Sequence, residues 1–291
     1  MHKQKEAFSV NFFEKILHSL SGTMETPSNY GWFHLMFFAI VIAVTVLLCV
    51  RFKNADDKTF RRIILISWLI ILSFEIYKQI IYSFEYDGAK VTWDYLWYAF
   101  PYQLCSTPLY VLPFIAFSKD SHFRDSLISY MSVFSLFGGI AVFFYPNDVF
   151  VETIGINIQT MVHHGLQIVL GIFCVVYNRR KIERLRYFAS SIPVFSFLVS
   201  IAIVMNVIGY HLLPNDTFNM FYISPYYPCT LPVLELLYPK VPFIAFIFIY
   251  IVGFVAIAAF LYNLEKGVVY LASREPLNKN AKTKQKANYI I

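Results

Sequence analysis

The chain has 291 residues, of which 58% are hydrophobic and only 14% charged, and its mean hydropathy is +0.56. Soluble domains carry about 25% charged residues, so composition excludes a soluble domain and leaves a polytopic membrane protein. The net charge of +6 does not point to nucleic acid, because most of it flanks apolar segments, where lysine and arginine meet anionic headgroups.

Residues 1–30 are not a span. Phe8, Phe12, Ile16 and Leu20 recur at helical spacing, with Glu14 and Lys15 between them. This suits a short helix in the outer interface, and a disordered leader fits the composition nearly as well. Seven apolar runs of about 20 residues follow, at Gly31–Val50, Ile63–Ser83, Tyr95–Phe117, Leu127–Tyr145, Ile154–Tyr177, Phe188–Tyr210 and Pro242–Tyr262. They predict an all-α bundle of seven transmembrane helices over residues 31–265 and a basic, disordered tail at 266–291. With seven crossings, 18 of the 24 lysines and arginines fall on one side. The positive-inside rule then sets the N-terminus outside and the C-terminus in the cytoplasm, in a multi-pass protein of the cell membrane.

The first span has no candidate site and reads as scaffold. In the second, Glu75 and Lys78 share a helix face, either as a buried ion pair or with Glu75 orienting a catalytic histidine or serving a proton path. The third span is anomalous. Ala99 to Pro113 holds three prolines, Gln103, Cys105, Ser106 and Thr107, and irregular backbone at membrane depth is tolerated only where protein or a water-filled cavity receives it. Cys105 falls near the midplane, about 15 Å from the outer end at about 1.5 Å per residue. The fourth span contains Gly138 and Gly139, which permit close helix approach, and stops at the turn Tyr145-Pro146-Asn147-Asp148.

The fifth span carries Asn157, Thr160, His164, Gln167, Gly171 and Cys174 at alternating spacings of 3 and 4. This is one continuous polar or small stripe that lipid cannot face. His163 lies about 100° round the helix from His164 and can reach the same cavity. The sixth span ends near Asn206, a costly amide at depth. The connection from His211 to Val241 is too long for a plain connector and suggests a lid or re-entrant cap; docking of Tyr226, Tyr227 and Tyr238 to the headgroup region is the alternative. Cys49, Cys105, Cys174 and Cys229 do not pair by position, so no disulfide is expected.

A thiol and an imidazole from separate helices can carry out covalent acyl transfer through a thioester, with Cys105 as nucleophile and His163 or His164 as base. No zinc-ligand spacing, Gly-x-Ser-x-Gly elbow or phosphate loop occurs, so neither a metal nor another cofactor is expected. Leu104-Cys105-Ser106, His164-Gly165-Leu166 and Asn219-Met220-Phe221 resemble the landmarks of the YwaF-like, transmembrane protein 164-like family of integral membrane proteins. The resemblance covers about residues 31–265. It implies a cysteine-dependent acyltransferase that takes its acyl group from a membrane phospholipid, with Cys105 as nucleophile, His164 as base and Asn219 as a positioning or oxyanion group. His163 would be a neighbour. Gln103 stands where bacterial members commonly have histidine, which leaves the acceptor open between lipid, lipid-anchored group and water. Other classes compatible with the residues are a small proton-coupled transporter, using Glu75, Lys78, the histidines and Asn206, and a non-enzymatic scaffold or sensor.

Overall fold

The computed structural model describes residues 14–86, 91–146, 149–213 and 218–287. Phe8, Phe12, Lys90, Asp148, Asn215 and Asp216 lie outside the described residues. Residues 14–20 are helical, and Tyr77 Oη donates to the Leu20 carbonyl at 2.8 Å, which ties this segment to the bundle.

Among the described residues six helices are long and apolar enough to cross a membrane: α1 (Trp32–Phe52), α2 (Asp57–Ile81), α4 (His122–Phe144), α5 (Ile154–Tyr177), α6 (Leu185–Leu212) and the apolar part, Phe243–Ala272, of α7. Helix α3 (Pro108–Phe117) has only 10 residues. Helix α7 continues to Ala287, through the stretch whose composition suggests a disordered tail; its lysines, glutamine and alanines are good helix formers. At the start of α2, Asp56 Oδ1 accepts from the Thr59 N–H at 3.0 Å and caps the helix. Helices α4 and α5 form the centre, with 72% and 67% of their most apolar stretch buried against 17% and 22% in α1 and α2. Their close approach depends on Gly139: a Cβ there would stand 2.7 Å from the His164 carbonyl oxygen.

The third segment corrects the expectation of a continuous helix. After α2 the chain makes a small antiparallel hairpin, β1 (Phe84–Tyr86) with β2 (Val91–Trp93), then 3₁₀ turns at Trp97–Ala99 and Leu104–Ser106, and only then α3. The prolines explain the break, because each lacks an N–H and leaves a carbonyl four residues earlier without its helical partner. Those carbonyls find donors elsewhere. Pro113 strands the Leu109 carbonyl, and the indole Nε1–H of Trp68 on α2 donates to it at 2.9 Å. Pro108 strands the Leu104 carbonyl, which accepts from Thr107 Oγ1 at 2.7 Å. The Ala99 and Pro101 carbonyls, which lie outside any helix ladder for a different reason, the 3₁₀ and irregular backbone, accept from Gln79 Nε2 at 3.0 Å and Tyr110 Oη at 2.8 Å.

The broken segment nonetheless runs the length of α2 in the opposite direction. At one end Gln79 meets Ala99, midway Trp68 meets Leu109, and at the other end Arg61 Nη1 donates to the Ala116 carbonyl at 2.7 Å. Beyond α6, the connection expected to cap the bundle enters it. Phe218, Met220, Phe221 and Ile223 are buried in the main apolar core, while Tyr226 stays at the rim, stacked on Tyr210 at 3.8 Å.

Candidate active site

Cys105 lies in the 3₁₀ turn Leu104–Ser106, where the proline-interrupted backbone cannot use its carbonyl in a helix. That carbonyl points at α5 and is bound twice, by His163 Nε2 at 2.7 Å and by Gln167 Nε2 at 2.9 Å. His163 and Gln167 are four residues apart and so share one face of α5. A carbonyl only accepts, so His163 carries its proton on Nε2 and keeps a lone pair on Nδ1, which is buried without a partner. The carbonyl oxygen of Gln167 is likewise buried and unpartnered.

His164 is arranged differently. Its Nδ1 meets the Thr160 carbonyl of its own helix at 2.7 Å; this fixes the proton on Nδ1 and leaves Nε2 as the basic nitrogen. The two imidazoles lie 5.5 Å apart, centroid to centroid. The residue in direct contact with the Cys105 turn is therefore His163, placed by sequence as a neighbour, while His164, placed as the base, bonds to its own backbone. The whole stripe, including Asn157, Thr160, Gln167, Gly171 and Cys174, is buried as its spacing requires.

Glu75 is 4% exposed and its Oε1 receives both Lys78 Nζ at 2.8 Å and Gln79 Nε2 at 2.6 Å. It makes no bond to either histidine, so the expectation that it orients one is replaced by the buried ion pair. Its other oxygen, Oε2, is buried without a partner. An apolar groove of about 450 Å³ opens beside this ion pair, between Trp68, Leu72 and Ile76 of α2 and Pro101, Leu109 and Tyr110 of the broken segment.

The amides hold the turn that follows α6. Gln103 Nε2 donates to the Asn219 carbonyl at 2.9 Å and its Oε1 accepts from the Phe221 N–H at 2.7 Å. Asn206 grips Met220 at both backbone atoms, at 2.9 and 2.6 Å. Asn219 shapes the same turn, accepting from the Ser224 N–H at 2.8 Å and donating to the Pro228 carbonyl at 3.1 Å. These bonds hold Phe221 and Tyr222 at φ of 57° and 56°, left-handed geometry that costs about 1–3 kcal/mol per non-glycine residue. Sequence reasoning missed Gln167 as a Cys105 contact and the Thr107–Tyr130 hydroxyl pair at 2.8 Å. The four cysteines are free, and among the described residues no three metal-ligating side chains converge.

Helices of crossing length around a buried polar interior, with a thiol-bearing broken segment docked on a histidine face, define a multi-pass membrane protein. The chain belongs to the TMEM164 family, whose family model matches residues 26–265. No curated protein and no solved structure matches it significantly.

Proposed function

We propose that the protein is a membrane-embedded lipid acyltransferase or lipid esterase that works through Cys105 and His164 and takes its acyl group from a phospholipid. The observation that carries this reading is the docking of the Cys105 turn onto His163 and Gln167 of α5, with the adjoining His164 keeping its Nε2 unprotonated. His164 Nε2 takes the thiol proton, and the Cys105 sulfur attacks the ester carbonyl carbon. The carbon–oxygen bond to the glycerol breaks, the leaving oxygen takes the proton from His164, and the acyl group remains as a thioester. An acceptor hydroxyl, from a lipid or from water, then attacks the thioester. His164 takes its proton and returns it to the departing sulfur, which regenerates the thiol.

His163 and Gln167 act as positioning residues that fix the Cys105 backbone, and Gln103, Asn206 and Asn219 hold the neighbouring turn. The groove beside Glu75 suits an acyl chain arriving sideways from the bilayer, since its lining is mostly apolar, with Glu75 and Gln79 as polar members. In this reading the broken third segment is a seventh crossing, the N-terminus is outside, the basic helix ends are cytoplasmic and the protein resides in the cell membrane. The test is acyl transfer by the purified protein in lipid vesicles with a labelled phospholipid donor. The proposal expects Cys105→Ser and His164→Ala each to lose at least about 100-fold, the scale of a general base's contribution, and expects a hydroxylamine-labile label at Cys105. Undiminished transfer by both variants overturns it.

A further inference from the structure

The strongest feature outside the Cys105 site lies at the opposite end of the bundle, where the basic helix ends gather. A polar cup of about 430 Å³ is lined by five cationic residues, Lys53, Arg124, Arg179, Arg180 and Lys181, and by two acidic ones, Asp120 and Asp125. An apolar groove of about 960 Å³ runs on from it between α5 and α7, with Leu136, Ile172, Val176, Leu264 and Val268 among its walls. Cup and groove share Lys53, Asn54, Arg179 and Arg180 as a common rim. A charged cup opening into an oily groove has the form of a headgroup site joined to a chain site.

Among the described residues the charges at the rim have no carboxylate partner. Lys181 is paired with Asp125 at 2.7 Å, and Arg124 Nη1 with Asp57 at 2.6 Å. Arg179 donates only to neutral oxygens, those of the Lys53 and Val176 carbonyls and of Asn54 Oδ1. No carboxylate of the described residues pairs with Lys53 or Arg180 within salt-bridge distance. Glu183 also borders the groove, so the cationic excess is concentrated in the cup.

Two independent observations mark this as more than a solvated basic surface. Arg124 is 2% exposed, yet its Nη2 is buried without a partner, which is costly for a charged donor unless something accepts from it. In the groove, both carboxyl oxygens of Glu265 are buried without partners. The site thus offers unpaired cationic donors at its mouth, apolar walls below, and acceptors for a hydroxyl on the wall.

We propose that this is a binding site for an anionic glycerophospholipid with a hydroxyl-bearing headgroup, of the phosphatidylglycerol type, drawn from the leaflet that borders the basic helix ends. Its phosphate sits at Lys53, Arg179, Arg180 and the Arg124 Nη2 edge, a headgroup hydroxyl donates to Glu265, and an acyl chain lies along Ile172, Val176 and Val268. The site is independent of the acyl-transfer reading.

The experiment is native mass spectrometry of the full chain with equimolar phosphatidylglycerol and phosphatidylcholine, repeated with soluble glycerol phosphate as competitor. The expected result is retained phosphatidylglycerol in preference to phosphatidylcholine, with glycerol phosphate failing to displace it. Lys53→Gln and Arg180→Gln leave the Arg179 hydrogen bonds in place, and each should lower the preference by about fivefold, the equivalent of about 1 kcal/mol per cation near a membrane surface. Val268→Trp fills the groove from an exposed position without removing a charge, and should weaken retention of the lipid. Equal retention of both lipids, or an unchanged preference in Lys53→Gln and Arg180→Gln, overturns the proposal. Equal competition by glycerol phosphate also overturns it, by making the cup a site for soluble anions.

Discussion

Trp68→Phe offers a sharp test of how the broken segment is held. The indole N–H is the donor to the carbonyl that Pro113 strands at Leu109, and Leu109 is buried. Removing it leaves a backbone acceptor unsatisfied, at a cost of about 1–3 kcal/mol, together with the packing lost from the smaller ring. In a Pro113→Ala background the alanine supplies an N–H four residues after Leu109, so the helix satisfies its own carbonyl and only the packing loss remains. The difference between the two backgrounds should therefore be a coupling of about 1–2 kcal/mol, within the range seen for residues sharing one hydrogen-bond network. The assay is a double-mutant cycle of reversible unfolding in mixed micelles with increasing denaturing detergent. An equal cost of Trp68→Phe in both backgrounds, within about 0.5 kcal/mol, would refute the carbonyl argument and leave Trp68 as packing alone.

Three further outcomes concern the site and the start of α2. His163→Ala and Gln167→Leu should each destabilise by about 1 kcal/mol, but together by more than their sum, because only the double variant leaves the Cys105 carbonyl without a donor; the same cycle, read also as the rate of maleimide labelling of Cys105, checks this. Gly139→Ala should cost about 1–3 kcal/mol and disturb activity, since its Cβ would stand 2.7 Å from the His164 carbonyl and 3.0 Å from Gln167 Cβ; a neutral effect on both counts would show that α4 and α5 have slack. The Asp56 carboxyl is held below its ordinary range by its hydrogen bond with Thr59. Its contribution to α2 is therefore full above the ordinary carboxylate value and is lost as pH falls through the lower folded value, an acid sensitivity that Asp56→Asn should abolish when amide exchange at Thr59 is followed.

Much of the architecture was legible because lipid imposes strict rules. Apolar length located the crossing helices, and the stripe from Asn157 to Cys174 announced a buried face. What was not legible was how local exceptions are resolved. Three prolines signal that hydrogen bonds are missing, but not that Trp68 and Thr107 replace them, nor that Gln79 and α5 hold the irregular backbone between. The hairpin at Phe84–Tyr86 and Val91–Trp93 has strands of three residues, too short for alternation to register. Adjacent histidines differ by about 100° on a helix, and periodicity favoured His164 because it continued the stripe; the choice depended on where the Cys105 carbonyl lies. Asn206 and Gln103 were visible as costly amides, whereas their common target, the left-handed turn at Phe221 and Tyr222, has no glycine to reveal it.

The donors that complete the third segment come from both earlier and later in the chain. Trp68 and Gln79 have already been synthesised when Cys105 leaves the ribosome, but His163 and Gln167 follow about 60 residues behind. Until α5 is made, the Cys105 carbonyl has no partner in hydrocarbon, so the segment is expected to remain beside the insertion machinery instead of partitioning into lipid by itself. Nascent chains halted after Phe144 should then crosslink to that machinery through Cys105, and chains halted well beyond Tyr177 should not.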